Sequence, residues 1–360
     1  EIYTLSLHDA LPIWEHFKAR KFITGFSGSA GTAVITKTEA RLWTDGRYFI
    51  QAAAQLEGTT VELMKMGEPG VPEMNAYIEE VLKEGETLGF DGRVVSVGEG
   101  EDYAAIAGKK NAKVNYQVDL IDEIWEDRPV LSEEPAFNLD VKYAGETVAS
   151  KLARIREEMK EAGTNVHIVS TIDDICWTLN IRGNDIDFFP LVLSYGIITM
   201  DSFELYIDER KLDDKLKAKL AKDGVNLHPY NDIYEDVKKF GSDVVAMIDP
   251  GKLNYALFNN IPENVKTVEK RNPAILMKAI KNPVEIENIR KAQIKDSVAH
   301  VRFMKWLKEN VGKMRITEMS ASDKLDEFRA EMGKFIRPSF EPISSFGEHG
   351  AIVHYTSSPE

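Results

Sequence analysis

Seven histidines are the first candidates for metal chemistry in this 360-residue sequence, but their spacing does not favour a shared metal ion. The metalloprotease motif H-E-x-x-H is absent, and five histidines are widely scattered, at His8, His16, His167, His228 and His300. Only His349 and His354 lie close together. On a β-strand this separation places two side chains on opposite faces, so the pair is a poor candidate for one metal site.

A glycine-rich segment, Gly25–Thr32, could be mistaken for a phosphate-binding loop or for the turn that carries a serine nucleophile. It has neither the G-x-G-x-x-G order nor the lysine of a P-loop, and no serine is flanked as in G-x-S-x-G. We predict a tight turn in which backbone segments approach closely, because glycine has no Cβ.

The turn Asp45-Gly46-Arg47 follows a strand-like run and leads into a helical stretch. Such a turn can present a side chain. Asp45 is suited to cap a helix that begins at Arg47. By itself, Arg47 is more typical of a solvated or ion-paired surface arginine.

An adjacent acidic pair, Asp173-Asp174, suggests metal binding or acid–base chemistry at first reading. Neighbouring residues of a helix point in different directions, so the two carboxylates do not readily converge on one ligand. We predict instead that one of them caps a helix whose apolar residues Ile175, Trp177 and Leu179 pack inside.

Short strands and helices alternate around these residues, and the same order occurs twice. In the first half we predict strands at Ala33–Thr36, Arg41–Thr44 and Thr87–Phe90, and helices at Tyr48–Leu56, Glu73–Lys83 and Glu99–Lys109. In the second half we predict strands at Val166–Ser170, Leu191–Thr199 and Glu204–Ile207, and helices at Glu146–Ala162, Asp173–Asn180 and Lys211–Lys222. A proline-containing, unperiodic stretch, Trp125–Gly145, separates the halves as a linker. The shared order is compatible with an old duplication, although no close sequence repeat is visible.

A third segment begins near Pro273 with strong helix signals. Asn282, Pro283 and Glu285 supply an N-cap, a first-turn proline and a capping-box glutamate, which predict the start of a long helix. Its apolar face comprises Ile289, Ala292, Ala299, Phe303, Trp306 and Leu307. We predict a second helix at about Thr317–Met332 and a β-strand at Gly350–Tyr355 that carries His354.

Composition excludes several classes of function. The net charge of −14 would repel nucleic acids and anionic lipid surfaces. No stretch approaches the length of a spanning helix, and no signal peptide is recognisable, so we expect no membrane partner. One cysteine, Cys176, allows no internal disulfide, which agrees with a cytoplasmic protein.

The first thirteen residues, Glu1 to Ile13, match the translation of a common sequencing adapter. We expect this segment to be non-native, exclude it from the fold, and place the natural sequence from Trp14 onward. The alternative is a genuine strand-and-turn opening.

Four blocks of sequence resemble one known family. RKFITGFSGSAGTAVIT with LWTDGRYFIQAAAQL comes first, then DDICWTLNIRGNDI with FFPLVLSYGII, then LMKAIKNPVEIENIRKAQIKDSVAHVRFMKWL, and finally ISSFGEHGAIVHYTSSPE. They resemble, in order, the Xaa-Pro aminopeptidases, which are the aminopeptidase P group of the creatinase-like M24 metallopeptidases, in their three-domain form. The resemblance covers Trp14 to Glu360.

This resemblance implies an α/β fold: two creatinase-like αβ domains followed by the start of a pita-bread (α+β) metallopeptidase domain. We expect a first domain at residues 14–135 with its earliest strands missing, a second at 136–272, and the catalytic domain from 273 to 360. The family uses two divalent metal ions, usually manganese, to activate a hydroxide that attacks the bond before proline. Proline-containing peptides are the expected substrates, and a homodimer is expected for the full-length protein.

By the same resemblance, Arg47 contacts substrate, and His354 both contacts substrate and acts as a catalytic histidine. The family's metal ligands lie beyond the HYTSSPE block, so none can be assigned here. We therefore expect a piece of a longer enzyme, truncated at both ends, that binds manganese weakly and is inactive alone. Two alternatives stay open: a non-catalytic peptide- or histone-binding module, and, disfavoured by the middle domain, hydrolysis of creatine or other C–N bonds.

Overall fold

Short runs rich in β-branched and aromatic residues form two six-stranded sheets in the computed structural model, which describes residues 2–7 and 15–359. The first sheet contains β1 (Ile2–Leu7), β2 (Gly31–Ile35), β3 (Ala40–Thr44), β4 (Val61–Lys65), β5 (Thr87–Phe90) and β6 (Lys113–Asn115). Its helices are α1 (Ala19–Thr24), α2 (Phe49–Gln55), α3 (Met74–Val81) and α4 (Val97–Lys109). The strand order is β4-β3-β2-β1-β5-β6, which makes β1 a central strand.

Strand β1 lies inside the segment that the sequence led us to exclude. It pairs antiparallel with β2 and parallel with β5, and Ile2 and Tyr3 are buried. Excluding the whole segment from the fold was therefore wrong, because β1 satisfies the backbone hydrogen bonds of β2 on one side and of β5 on the other. The non-native origin of the segment stays a prediction, and residues 8–13 lie outside the described residues.

The second sheet repeats the plan of the first. It contains β8 (Val166–Val169), β10 (Ser194–Thr199), β11 (Phe203–Ile207), β12 (Val225–His228), β13 (Val245–Ile248) and β14 (Lys266–Glu269), in the order β12-β11-β10-β8-β13-β14. Its helices are α6 (Val148–Glu161), α7 (Ile172–Leu179), α8 (Asp214–Lys222), α9 (Ile233–Asp236), α10 (Tyr255–Phe258) and α11 (Pro273–Ala279). A separate ribbon pairs β7 (Phe137–Asn138) with β9 (Ile181–Arg182), and α5 spans Val141–Ala144.

Each strand of the second sheet has a counterpart in the first, with the same neighbours. In the first sheet, β1 pairs antiparallel with β2, β2 pairs antiparallel with β3, and the pairings β1-β5 and β5-β6 are parallel. In the second sheet, the corresponding pairings β8-β10 and β10-β11 are antiparallel, and β8-β13 and β13-β14 are parallel. The predicted common plan of the two halves is confirmed. Apolar side chains on both faces of the second sheet form two buried clusters, which fix that domain's core.

The chain divides into two compact units. The first comprises the residues up to Val141 together with Glu146–Ile280, and so contains both sheets; the second comprises Lys142–Gly145 and the chain from Lys281 onward. Within the second unit, α12 (Pro283–Asn310) packs against α13 (Glu318–Glu331). Among the described residues, no helix has the length and apolarity needed to cross a membrane.

Helix α12 begins where the sequence predicts, at the capping box of Asn282 and Glu285. Its predicted apolar face is only partly covered. Ala299 is buried and the later members of that face are half-buried, whereas Ile289 is 53% exposed and Ala292 is also exposed. The packing against α13 involves the later part of α12, where Arg329 donates to Asp296 at 2.8 Å.

The strand predicted at Gly350–Tyr355 is wrong. Gly347–Ala351 forms a 3-10 helix, and the residues that follow form a turn and an extended segment. A β-strand needs a neighbour for its backbone hydrogen bonds, and the second unit contains no other strand among its described residues.

Candidate functional site

Arg47 lies immediately beyond the carboxyl end of β3, in a turn organised by Asp45. One oxygen of Asp45 accepts the backbone N–H of Arg47 at 3.0 Å and its Nε at 2.8 Å, and the other accepts Nη2 at 2.7 Å. This bidentate contact holds the planar guanidinium in one orientation. The arginine is exposed, so its side chain is presented at the surface of the first unit.

Asp45 does not cap helix α2, contrary to the prediction. The helix begins at Phe49, and its N-cap residue Tyr48 makes no side-chain capping bond. Because the Asp45 carboxylate is already engaged by the backbone and side chain of Arg47, it organises the turn before the helix and not the helix terminus.

The glycine-rich segment packs beside this turn. The predicted close approach of backbone segments occurs at Gly31, where a Cβ would lie 2.7 Å from the backbone oxygen of Trp43. Buried Arg20 donates to the carbonyl oxygens of Gly28 and Gly31. Ser29 Oγ lies 2.6 Å from the hydroxyl of Tyr48, the residue after Arg47. A Cβ at Gly28 would lie 2.3 Å from the ring of Phe26, so only glycine fits there.

Asp173 and Asp174 do not cap α7, which corrects the prediction for this pair. The N-cap residue Thr171 makes no side-chain capping bond to the helix. Both carboxylates bind Lys278 of α11, with 2.7 Å between its Nζ and Oδ1 of Asp174. Burial opposes the charge of Lys278, but its hydrogen bonds to the two carboxylates outweigh burial and raise its pKa. The pair is therefore structural, because it joins α7 to α11.

His354 lies in the turn after the 3-10 helix and is exposed. The segment around it is attached to α13 through Glu318, whose carboxylate accepts the hydroxyl of Tyr355 at 2.6 Å and lies 3.0 Å from Nδ1 of His349. The rings of His349 and Tyr355 stack with centroids 4.6 Å apart. The hydrogen bond from Tyr355 is the main cause that lowers the pKa of Glu318.

Sequence reasoning missed Glu318 and Lys278. Glu318 is separated from His349 by 31 residues, and Lys278 from Asp173 by 105, so no local pattern connects them. His349 and His354 do not stand on opposite faces of a strand, because His349 belongs to the 3-10 helix. Arg47 belongs to the first unit and His354 to the second, and the role of each stays a prediction.

Among residues 2–7 and 15–359, no group of three or more His, Cys, Asp or Glu side chains is placed to hold a metal ion. Cys176 is fully buried, and burial raises the pKa of its thiol to about 11, so it does not supply a thiolate ligand. The described residues do not fit a two-metal centre.

Comparison with known proteins defines the class. Residues 13–124 and residues 127–285 match two models of the creatinase/prolidase N-terminal domain, and residues 287–360 match the metallopeptidase family M24. These three matches account for nearly the whole chain, and the duplicated sheets agree with the first two. The chain belongs to the creatinase-like M24 metallopeptidase family.

Within that family, the similarity points to one group. The chain is 36% identical to aminopeptidase P2 of Arabidopsis thaliana over 98% of its own length and 54% of the relative. It is 38% identical to a probable Xaa-Pro aminopeptidase P of Sordaria macrospora over 93% of its length and 57% of the relative. The chain thus spans little more than half the length of the relatives it matches.

A solved structure shows the same fold. All of this chain superposes, with a TM-score of 0.94 and 33% identity, on 60% of the X-prolyl aminopeptidase from Caenorhabditis elegans, a cytosolic enzyme with a di-nuclear active site. The predicted architecture of two creatinase-like domains and the start of an M24 domain is confirmed.

Proposed function

We propose that the protein to which this chain belongs removes the N-terminal residue from peptides that carry proline in the second position. The observation that carries the proposal is the match of the whole chain, at a TM-score of 0.94, to an X-prolyl aminopeptidase. Similarity at 36–38% identity to proteins named aminopeptidase P2 and Xaa-Pro aminopeptidase P supports it. We infer that two divalent metal ions, preferably manganese, would supply the nucleophile and polarise the scissile carbonyl in the intact enzyme.

Arg47 is the proposed substrate contact from the first αβ domain. Asp45 engages its Nε and Nη2 and thereby fixes the guanidinium before any ligand arrives. A guanidinium held in this way binds a carboxylate or carbonyl oxygen with less loss of side-chain entropy than a mobile lysine. Its exposure leaves it accessible to a peptide.

His354 is the proposed catalytic and substrate-contacting histidine. An imidazole N–H donated to the developing oxyanion stabilises the transition state more than the ground state. Two residues near it in sequence, His349 and Tyr355, are held by Glu318, which restricts the backbone that carries His354. We infer that this restriction positions the imidazole.

The 360-residue chain by itself is proposed to be inactive and to bind manganese only weakly. Its described residues offer no cluster of metal-ligating side chains, whereas the C. elegans enzyme has a di-nuclear site. We further propose a cytoplasmic location and a homodimer for the intact protein.

The test uses the intact parent protein with manganese and a peptide that begins Xaa-Pro. We expect cleavage before proline, a fall in kcat of roughly 100- to 1,000-fold for His354→Ala, and a rise in KM of about tenfold or more for Arg47→Gln. Arg271→Gln, at another exposed arginine of the first unit, serves as the matched control and should leave both constants unchanged.

Two outcomes would contradict the proposal. A parent protein that binds prolyl peptides but releases no product would be a binding module. Tight stoichiometric manganese uptake by the 360-residue chain, measured by calorimetry, would overturn its proposed lack of a metal centre.

A further inference from the structure

The two αβ domains of the first unit contact each other through equivalent turns. One turn follows β5 and runs from Asp91 to Ser96; the other follows β13 and runs from Asp249 to Asn254. In each, the leading aspartate accepts a backbone N–H two residues later, from Arg93 at 2.9 Å and from Gly251 at 3.3 Å. Each turn ends in the N-cap residue of the next helix, Ser96 for α4 and Asn254 for α10.

Backbone hydrogen bonds between the turns are reciprocal. Val97 donates to the carbonyl of Leu253 and Tyr255 donates to that of Val95, both at 2.9 Å. A second matched pair joins Gly98 to Pro250 at 3.1 Å and Ala256 to Gly92 at 2.8 Å. Contacts in which equivalent residues exchange roles are the mark of a two-fold interface, here within one chain.

Side chains cross the same seam in both directions. Val97, from the first domain, belongs to a buried apolar cluster of the second, and Tyr255, from the second, belongs to a cluster of the first. A Cβ at Gly100 would lie 2.1 Å from the ring of Tyr255, so the ring fills the space above that glycine. The seam is therefore closely packed, and the turns are held rigidly against each other.

A groove of 320 Å³ opens at this seam. It is lined by Arg93, Val94, Val95 and Ser96 of one turn, by Gly251, Lys252 and Asn254 of the other, and by Ser170 and Tyr195. Ser170 directly follows β8, which is adjacent and parallel to β13. After β8 the next strand of the sheet is β10, toward one edge, and after β13 it is β14, toward the other edge. Ligands of open α/β sheets bind in the crevice at such a reversal of strand order.

Two cations line this groove without a carboxylate partner. In the part of the chain that the structure describes, neither the Arg93 guanidinium nor the Lys252 ammonium has a carboxylate oxygen within 4.0 Å. Both side chains are exposed, so their charges face solvent at the mouth of the groove. The Arg93 guanidinium lies over the ring of Tyr234, 5.6 Å from its centroid, and this contact leaves the positive charge without a neutralising carboxylate among the described residues.

The neighbouring carboxylates are already engaged. Asp91 and Asp249 each accept a backbone N–H within their own turn, and Glu99 accepts the N–H and hydroxyl of Ser96. None of these three lines the groove. Tyr195 also lines the groove, and its hydroxyl lies 3.1 Å from that of Tyr234. Burial raises the pKa of Tyr195 well above its usual value, so this side chain adds no negative charge.

We propose that this groove is a binding site for a small oxyanion, a phosphate or a carboxylate, held between Arg93 and Lys252 at the pseudo-two-fold seam. Each domain contributes one cation, so the ligand bridges equivalent turns of the duplicated halves. Neither Arg47 nor His354 is among the residues that line this groove, and anion binding there does not require the proposed peptidase activity.

Calorimetric titration of the 360-residue chain with inorganic phosphate, and separately with N-acetylglycine, tests the proposal. Each titration is run at a fixed ionic strength, and the series is repeated at higher sodium chloride. We expect saturable binding of at least one anion, and binding that weakens as sodium chloride is raised. The variant Arg93→Gln/Lys252→Gln should bind about tenfold more weakly or not at all, because both charge-assisted contacts are lost. Circular dichroism checks that it folds.

The matched control is Lys215→Gln/Lys222→Gln, which removes the same charge from exposed positions on α8 and should bind as the parent chain does. Binding confined to phosphate or to N-acetylglycine would identify the source of the oxyanion. No binding of either anion, or equal binding by both double variants, would overturn the proposal.

Discussion

Asp91 provides a sharp test of the electrostatics of the first domain. It lines a small cavity of 20 Å³, whose polar lining also includes Asp119 and Arg128. Burial, with a smaller contribution from the charge of Asp119, raises the pKa of Asp91 from 3.8 to about 6. Hydrogen bonding from the backbone N–H of Arg93, at 2.9 Å, opposes this rise without cancelling it.

The effect on stability follows from the direction of this shift. Between pH 3.8 and about 6 the folded chain binds a proton at Asp91 that the unfolded chain has released, so the group destabilises the fold as pH rises. About two pKa units, at about 1.4 kcal/mol each, correspond to about 3 kcal/mol. Asp91→Asn keeps an oxygen acceptor for Arg93 but carries no charge, so it should escape this cost.

Urea unfolding at a series of pH values measures the difference. At pH 7 we expect Asp91→Asn to be more stable than the parent chain by up to about 3 kcal/mol, and at pH 4 we expect this advantage to be nearly gone. Asp127→Asn, at an exposed aspartate, is the control and should give a small, pH-independent difference. If Asp91→Asn gives the same difference at pH 4 and pH 7, the assigned burial effect is wrong.

Two further substitutions test the packing. Lys211→Met should lower the free energy of unfolding, measured in urea, by about 3–5 kcal/mol, because Asp185 is fully buried, lies 2.6 Å from Lys211 Nζ and would lose its partner charge. Adding Asp185→Leu to the same chain should restore most of this loss. An unchanged free energy of unfolding for Lys211→Met alone would refute the reasoning. Gly28→Ala should cost about 1–3 kcal/mol, because its Cβ would lie 2.3 Å from the ring of Phe26 and 2.7 Å from that of Tyr48; an unchanged thermal midpoint would show that both rings can move away freely.

Local signals predicted the secondary structure well where the sequence contained them. The N-terminus of α12 was placed correctly because Asn282 and Glu285 are three residues apart and bond to each other's backbone. Strand β5 was also placed correctly, at Thr87–Phe90. The close backbone approach at Gly31 was predicted from residue type, because it depends on the absent Cβ of glycine.

Predictions that needed a partner from elsewhere in the chain failed. The segment that contains His354 has strand-like residues, but strand formation requires a second strand, and the described part of the second unit has none. Asp173 and Asp174 read as helix caps because their partner, Lys278, is about a hundred residues away. Strand β1 was excluded because its sequence matches a translated adapter, although in the structure it pairs with β2 and β5.

By itself, the sequence determined the family, the repeated alternation of strands and helices, and the two residues proposed to contact substrate, because these depend on short stretches of contiguous residues. Tertiary structure alone decided the equivalent strand order of the two sheets, the attachment of the His354 segment to Glu318, and the reciprocal seam that brings Arg93 and Lys252 into the lining of one groove. Those features join residues that are far apart along the chain, and only folding brings their atoms within hydrogen-bonding and packing distance.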